Sequence, residues 1–187
     1  SGAISISQEE LDLITIGEAR KPNFSPDFPA NLLSTKMAWE DLILNNHVMI
    51  QLNEIETWVT HHHKLMKEWG MEKILKPGYK SLFYGPPGTG KTTTAALLGK
   101  KTNRDVYRID LSQMVSKYIG ETEKNLAKLF DRAENKEWIL FFDEADALFG
   151  KRTNTRDAHD RFANQQVSYL LQRIEDFDGL VILATNL

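Results

Sequence analysis

Residues 85–92 read GPPGTGKT and fit the pattern G-x-x-x-x-G-K-[ST] at every defined position. Glycines let the backbone wrap closely around a phosphate and point its N–H groups inward. A lysine at this spacing reaches the β- and γ-phosphates, and the hydroxyl after it holds Mg²⁺. The alternative is a glycine-rich turn without a ligand. The predicted ATP or ADP contacts are Gly85, Pro87, Gly88, Thr89, Gly90, Lys91, Thr92 and Thr93, with Thr92 also on the metal.

Two acids follow the apolar run of residues 139–142. At the carboxyl end of a parallel strand, side chains face the ligand crevice. Asp143 is therefore placed to bind Mg²⁺. Glu144 points in a different direction and can act as a general base on the attacking water. An acidic strand end can also be a helix cap, but the phosphate loop earlier in the chain favours the catalytic interpretation.

Asn186 follows a third apolar run, residues 180–184. If that strand lies between those leading to Lys91 and Asp143, Asn186 faces the γ-phosphate. It would then orient the lytic water together with Glu144. A turn-initiating asparagine at a strand end explains the same residue equally well.

These groups need a scaffold, and the chain from residue 79 onward predicts one. Short apolar runs at 81–84, 106–109, 139–142 and 180–184 alternate with helical patterns at 91–102, 121–135 and 159–176. Two of the runs are continuously apolar, which is typical of strands covered on both faces. The alternation predicts an α/β fold, a doubly wound parallel sheet flanked by helices.

A further helix is predicted over residues 47–69, because apolar residues recur there at helical spacing. It carries three consecutive histidines at 61–63. Neighbouring helix residues point about 100° apart, which is poor geometry for metal ligation. We therefore interpret these histidines as a solvated helix face.

The chain divides into residues 1–38, an extension with a proline-rich linker, and residues 39–187, the core. A weak helical pattern spans residues 3–20, and three prolines follow between 22 and 29. The opening Ser1-Gly2 has the look of a cleavage scar. The end, directly after an apolar run, indicates truncation.

Composition narrows the class of protein. The 187 residues carry a net charge of -3, are 41% hydrophobic and 26% charged, and include no cysteine. Disulfides and thiolate metal sites are thereby excluded. No apolar run approaches the roughly 20 residues of a membrane span, and no secretory signal is visible. We expect a cytoplasmic protein, and the acidic balance argues against nucleic acid as the main partner.

Residues 39–187 resemble the AAA family of P-loop ATPases. The similar segments are GPPGTGKT; residues 116–126, SKYIGETEKNL; residues 143–148, DEADAL; and residues 184–186, ATN. They resemble the Walker A motif, the first pore loop, the extended Walker B motif and sensor 1. Residues 157–164, DAHDRFAN, with YRIDL at 107–111, are similar to bacterial AAA ATPases associated with contractile injection systems.

The resemblance implies a ring, usually a homo-hexamer, that uses ATP hydrolysis to remodel, unfold or disassemble a protein partner. Tyr118, with Ile119, would grip an extended polypeptide; the other interpretation of Tyr118 is a half-buried helix-end residue. Asp41, Leu42 and Ile43 match the adenine site, although the family's glycine is absent there. Arg152 and Arg156 fit a second pore loop, a subunit interface or a solvated basic loop, and His159 has no convincing ligand geometry.

In the family, the arginine fingers, a last strand and a helical lid with sensor 2 follow sensor 1. The resemblance therefore implies a weakly active fragment that is truncated before the last strand and the helical lid. One edge of its sheet would be exposed, and the chain would be monomeric or artefactually associated. Two alternatives to a protein remodeller stay open. One is a nucleotide-dependent scaffold or switch, and the other is a nucleic-acid motor. The letters DEAD at 143–146 suggest a helicase, but its further motifs are missing from the chain.

Overall fold

Five strands form one mixed sheet in the computed structural model, which describes residues 30–76, 78–112, 122–149 and 158–186. The spatial order is β1-β3-β4-β5-β2. The bounds are Ala30–Leu33 for β1, Tyr79–Tyr84 for β2, Val106–Asp110 for β3, Ile139–Asp143 for β4 and Leu180–Thr185 for β5. The last four run parallel, as predicted, and β5 lies between β2 and β4.

Helices connect the parallel strands and cover both faces of the sheet. They are α1, Asn46–His63; α2, Lys91–Thr102; α3, Thr122–Lys136; α4, Asp146–Phe149; and α5, Ala158–Asp176. The predictions for α2, α3 and α5 are confirmed to within one residue at each end. The helix predicted at 47–69 is α1, continued by a π-helical segment at Lys64–Glu68.

The core has two halves because successive strand residues point to opposite faces. On one face, Phe141 and Ile182 pack with Leu52 of α1 and Leu98 of α2. On the other face, Phe142 and Val181 pack with Phe130 of α3 and Leu170 of α5. Strands β4 and β5 are therefore buried on both sides, which accounts for their unbroken apolar sequences. This arrangement confirms the doubly wound α/β fold.

The strand β1 is the main feature that the sequence did not predict. It pairs antiparallel with β3, with Ala30 opposite Ile109 and Leu33 opposite Val106. The parallel sheet that we predicted thus has one antiparallel edge, formed by residues assigned above to the N-terminal extension. Four residues with two exposed positions carry almost no periodic signal. The division at residue 38 stays a prediction.

The interpretation of the histidines as a solvated face is wrong for one of the three. His61 and His63 are exposed, but His62 is buried, with 7% of its surface accessible. Its ring stacks on Trp58, with centroids 4.6 Å apart. A histidine on the inner side of an amphipathic helix is invisible to a pattern that counts only apolar residues.

Several predictions lie outside the described residues. They concern the helix at 3–20, the three prolines, Tyr118, Ile119, Arg152 and Arg156. His159 lies in α5, but its side chain is not described. Among the described helices, none combines the length and the apolar composition needed to cross a membrane.

Gly99 tests how tightly α2 packs against the sheet. A Cβ at this helical position would lie 2.8 Å from the carbonyl oxygen of Arg104 and would also clash with the side chain of Val106. We expect Gly99→Ala to lower the free energy of unfolding by about 1–3 kcal/mol, because overpacking exceeds the helix-forming advantage of alanine. Urea denaturation measures it, with the exposed Lys100→Ala on the same helix as control. A more stable Gly99→Ala protein would contradict this packing.

Candidate functional site

The loop at residues 85–90 connects β2 to the start of α2. Gly88 and Gly90 have φ angles of 79° and 88°, values at which other residues are strained, and Gly85 also has positive φ at 144°. The Thr89 hydroxyl donates to the carbonyl oxygen of Pro86 over 2.9 Å, which closes the turn. The loop side chains from Pro86 to Thr89, including Pro87, are exposed.

The first turn of α2 is open to a ligand. Gly90 is its N-cap and provides no side-chain cap, so the turn lacks the usual internal partner for its N–H groups. Lys91, Thr92 and Thr93 are all half-buried in this turn. A helix start of this kind attracts anions through its unpaired N–H groups and its partial positive charge.

The ammonium group of Lys91 links the loop to the end of β5. Its Nζ donates to the Gly85 carbonyl over 2.7 Å, to the Pro86 carbonyl over 3.0 Å and to Oδ1 of Asn186 over 2.9 Å. Lys91 and Asn186 are 95 positions apart in the chain and meet because β5 lies beside β2. The strand order on which the prediction for Asn186 depends is present, because β5 lies between the strands that lead to Lys91 and Asp143, while its role at the γ-phosphate stays a prediction.

Asp143 closes β4 on the face of the sheet that packs against α2. It lies two residues after Phe141, which belongs to the apolar cluster containing Leu98 of α2. Its Oδ2 accepts hydrogen bonds from Nε and Nη2 of Arg108 over 2.9 and 2.7 Å. Its Oδ1 accepts from the backbone N–H of Glu144 over 3.0 Å. The carboxylate is therefore held in one orientation.

Arg108 is a residue of this site that was not predicted from the sequence. It is the charged residue in the predicted apolar run Val106-Tyr107-Arg108-Ile109, and a charge in such a run is a signal that it has a partner. It lies on the same face as Asp143, one strand away, and 40% of its side chain is accessible. The partner cannot be chosen from the sequence because it depends on the pairing of β3 with β4.

Glu144 lies in a left-handed turn between β4 and α4, with φ at 54°. A non-glycine residue in this region costs roughly 1–2 kcal/mol. The following residues hold the turn, since Ala145 N–H donates to the Ala184 carbonyl over 2.8 Å and Ala147 N–H to the Glu144 carbonyl over 2.9 Å. Strained, fixed backbone of this kind recurs at functional sites.

The three predicted adenine contacts are in different surroundings. Leu42 lies against the phosphate loop, because its Cδ1 is 2.9 Å from the position that a Cβ on Gly90 would take. The Asp41 carboxylate accepts from the N–H of Ala38 over 2.8 Å and thereby closes its own short turn. The Ile43 side chain is 97% exposed. Of these three residues, Leu42 is the one that lies in contact with the loop in the part of the chain that the structure describes.

The sequence of this region matches that of a known protein family. A profile of the ATPase family associated with various cellular activities (AAA) matches residues 81–187. The chain belongs to this family. The match begins in β2 and includes the loop, Asp143, Glu144 and Asn186.

Similar proteins include AAA ATPases from archaea and yeast. A proteasome-activating nucleotidase of Methanocaldococcus jannaschii is 33% identical over 98% of this chain and 43% of its own length. Peroxisomal ATPase PEX6 of Saccharomyces cerevisiae is 32% identical over 98% of this chain and 18% of its own length. A cell division cycle protein 48 homologue of Archaeoglobus fulgidus is 31% identical over 79% and 20%. The AAA chain thus spans less than half of these relatives.

Strain at Glu144 of this AAA domain is testable by substitution. We expect Glu144→Gly to be more stable than Glu144→Ala by about 0.5–1 kcal/mol, because glycine adopts the left-handed region without steric cost. Urea denaturation of the two variants measures the difference.

The control is the same pair of substitutions at Lys128, which is exposed in α3. There alanine should be the more stable residue by about 1 kcal/mol. If alanine were more stable than glycine at position 144 as well as at position 128, the turn at Glu144 would not be strained.

Proposed function

We propose that this AAA domain binds Mg-ATP at the loop of residues 85–92 and hydrolyses it, and that the hydrolysis drives remodelling of a protein partner. The observation that carries the proposal is the convergence of four groups at one edge of the sheet. The loop, the strand end at Asp143, the strained Glu144 and the Asn186 side chain all lie there. The family supplies the ATPase class, and these residues supply the chemistry.

Phosphate binding is assigned to the loop and to the start of α2. The loop glycines turn the backbone so that its N–H groups can surround a phosphate. Lys91 adds a full positive charge, already held at the loop by the Gly85 and Pro86 carbonyls. We assign Gly85, Pro87, Gly88, Thr89, Gly90, Lys91, Thr92 and Thr93 to the nucleotide. Leu42 is the adenine-side residue that the geometry supports, while Asp41 and Ile43 stay predictions.

The donors present suit Mg²⁺, a hard cation that prefers oxygen ligands. Thr92 is the second residue of α2, and the Asp143 carboxylate lies on the sheet face that α2 covers. When bound, the metal neutralises charge on the β- and γ-phosphate oxygens. Arg108 holds Oδ2 of Asp143, and we assign it the role of orienting this carboxylate toward the metal site.

Activation of water is assigned to Glu144, with Asn186 as its orienting partner. Asp143 is held by Arg108, and Glu144 follows it in a left-handed turn, so we assign metal binding to Asp143 and acceptance of the proton to Glu144. Asn186 already contacts Lys91, and a γ-phosphate on Lys91 would therefore be near its amide. Alignment of the water by two fixed groups lowers the barrier by orientation.

A protein partner is the finer part of the proposal. The names of two relatives connect them to the proteasome and to the peroxisome. Tyr118 and Ile119, which precede Gly120, would line the pore of a homo-hexameric ring and grip a polypeptide without regard to its sequence. The similarity to ATPases of contractile injection systems would make the partner a component of such an apparatus, and cytoplasmic location fits either case.

The first test is binding of Mg-ADP. We expect the chain to bind one Mg-ADP and Lys91→Ala to bind at least tenfold more weakly, because a charge-assisted contact to phosphate is lost. Isothermal titration calorimetry measures both. The exposed Lys100→Ala, at the other end of α2, is the matched control and should bind like the parent chain. Equal affinity of the Lys91 variant and the parent chain would reject the site.

The second test separates hydrolysis from work on a partner. We expect Glu144→Gln to keep Mg-ATP binding and to lower turnover by about 10²–10⁴-fold, the usual contribution of a general base. An unstructured polypeptide such as casein should stimulate turnover in the assembled protein. Tyr118→Ala should abolish that stimulation, and Tyr118→Phe should retain it.

Each alternative makes a different prediction in the same assay. A scaffold or switch tolerates Tyr118→Ala, because assembly does not require a grip on polypeptide. A nucleic-acid motor is stimulated by single-stranded DNA in a salt-dependent manner instead. Either result would reject the protein-remodelling proposal while leaving ATP binding intact.

A further inference from the structure

A second cluster of ligating side chains lies at the opposite end of the sheet from the nucleotide site. It consists of His62 and His63, at the end of α1, and Glu137, which follows α3 and precedes β4. We call it the His–Glu cluster. Glu137 and Asp143 are separated by the length of β4, about 20 Å for six residues in extended conformation. The cluster is therefore distinct from the site of ATP binding.

The ligand atoms of the cluster are close together, even though neighbouring helix residues point in different directions, because the His62 and His63 ring centroids lie only 4.3 Å apart. One ring nitrogen from each histidine and one oxygen of Glu137 lie within 4.8 Å of one another. His63 Nε2 and Glu137 Oε1 are 2.9 Å apart. Ligands 2.0–2.1 Å from a tetrahedral zinc ion are separated by about 3.3–3.5 Å. If the distance between His63 Nε2 and Glu137 Oε1 widened slightly, and this pair moved about 1.5 Å closer to the His62 ring, all three side chains would surround one ion.

His62 is the fixed ligand of the three. Its ring is buried, stacks on Trp58, and its Nδ1 lies 3.2 Å from the Val59 carbonyl oxygen. An Nδ1–H that donates to this carbonyl leaves the lone pair on Nε2. Metal-bound histidines commonly donate their second ring N–H to a backbone carbonyl in this way. Burial also lowers the pKa of His62.

Glu137 is held from the other side. Its φ of 54° is left-handed, and the Trp138 N–H donates back to the Ala133 carbonyl over 2.9 Å, so the backbone at the end of α3 is fixed. Its Oε2 lies 3.3 Å from NH2 of Arg104. The hydrogen bond from His63, followed by the charge of Arg104, lowers the pKa of Glu137. Through Arg104, the carboxylate already has the outer contact typical of a metal ligand.

The groups around the cluster hold its side chains in place, and the donor atoms decide which metal ion fits. Arg104 also donates to the Val59 carbonyl over 3.2 Å, so one cation braces the supports of both His62 and Glu137. Asp178 is the acid whose charge acts on His62 from outside the cluster. Two imidazoles and one carboxylate suit Zn²⁺ and neighbouring transition metals, whereas Mg²⁺ and Ca²⁺ require more oxygen ligands.

We propose that His62, His63 and Glu137 bind one divalent transition-metal ion, with Zn²⁺ as the best match, and water in the fourth position. The ion takes the place of the proton shared by His63 and Glu137. It joins the end of α1 to the connection between α3 and β4, two segments 74 positions apart in the chain. Because the unfolded chain lacks this geometry, the bound ion stabilises the folded domain.

The experiment titrates the 187-residue chain with ZnCl₂ at pH 7.5 by calorimetry. Millimolar Mg²⁺ is present throughout, so that oxygen sites near Asp143 are occupied. We expect one ion per chain and a rise in Tm of about 5 °C at zinc concentrations near 100 times Kd. Co²⁺ in place of Zn²⁺ should show the visible absorption of a tetrahedral site.

Matched variants decide whether the cluster itself binds. His63→Ala and Glu137→Gln should each weaken zinc binding by at least about tenfold. His61→Ala removes an exposed neighbour outside the cluster and should leave affinity within about twofold. His62 is buried, so the surface positions carry the test without risk to the fold.

Three results would overturn the proposal. They are no saturable binding by the parent chain, equal loss of binding in His61→Ala and His63→Ala, or binding that is insensitive to Glu137→Gln. The second would reveal adventitious capture by a run of histidines. The first and third would leave the cluster as an ion pair between α1 and the segment before β4. None of them bears on Mg-ADP binding, which Lys91 tests separately.

Discussion

Burial of β4 and β5 on both faces is the constraint on which the rest of the structure depends. Their residues pack alternately against α1 and α2 on one side and against α3 and α5 on the other. Parallel strands covered in this way must end at the same edge of the sheet. Asp143 and Asn186 therefore come to the edge at which the phosphate loop leaves β2. The apolar core and the chemical site are consequences of the same arrangement of strands.

At that edge, opposite charges and constrained backbone hold each functional group in place. Lys91 is fixed by two loop carbonyls and Asn186, and Asp143 by Arg108 and the N–H of Glu144. Glu144 follows Asp143 in a left-handed turn whose backbone is held by the hydrogen bond from Ala145 to Ala184. Preorganised groups of this kind lose little orientational freedom when a ligand arrives.

The His–Glu cluster lies at the other end of the parallel strands, where they begin. The α1 helix ends above the start of β4, and the left-handed residue Glu137 turns its carboxylate toward His63. Arg104 connects this carboxylate to the backbone of α1 through Val59. These polar contacts join the first helix to the sheet where the apolar packing of Val59 ends. A metal ion there would act on the stability of the domain and leave the nucleotide edge untouched.

The amino-acid sequence alone determined the α/β class, four parallel strands, three connecting helices to within one residue, and the identity of Lys91, Thr92, Asp143 and Glu144 as candidate site residues. Those features depend on local patterns: apolar runs, helical periodicity, and a glycine-rich motif between a strand and a helix. The membership of the AAA family agrees with the same motifs.

Only the tertiary structure decided the rest, because the deciding contacts join residues far apart in the chain. Arg108 has a partner only when β3 pairs with β4, and Asn186 reaches Lys91 only when β5 lies beside β2. The strand at Ala30–Leu33 owes its conformation to pairing with β3 and shows no pattern of its own. His62 and Glu137 meet through burial and a left-handed turn, and neither is encoded in local periodicity.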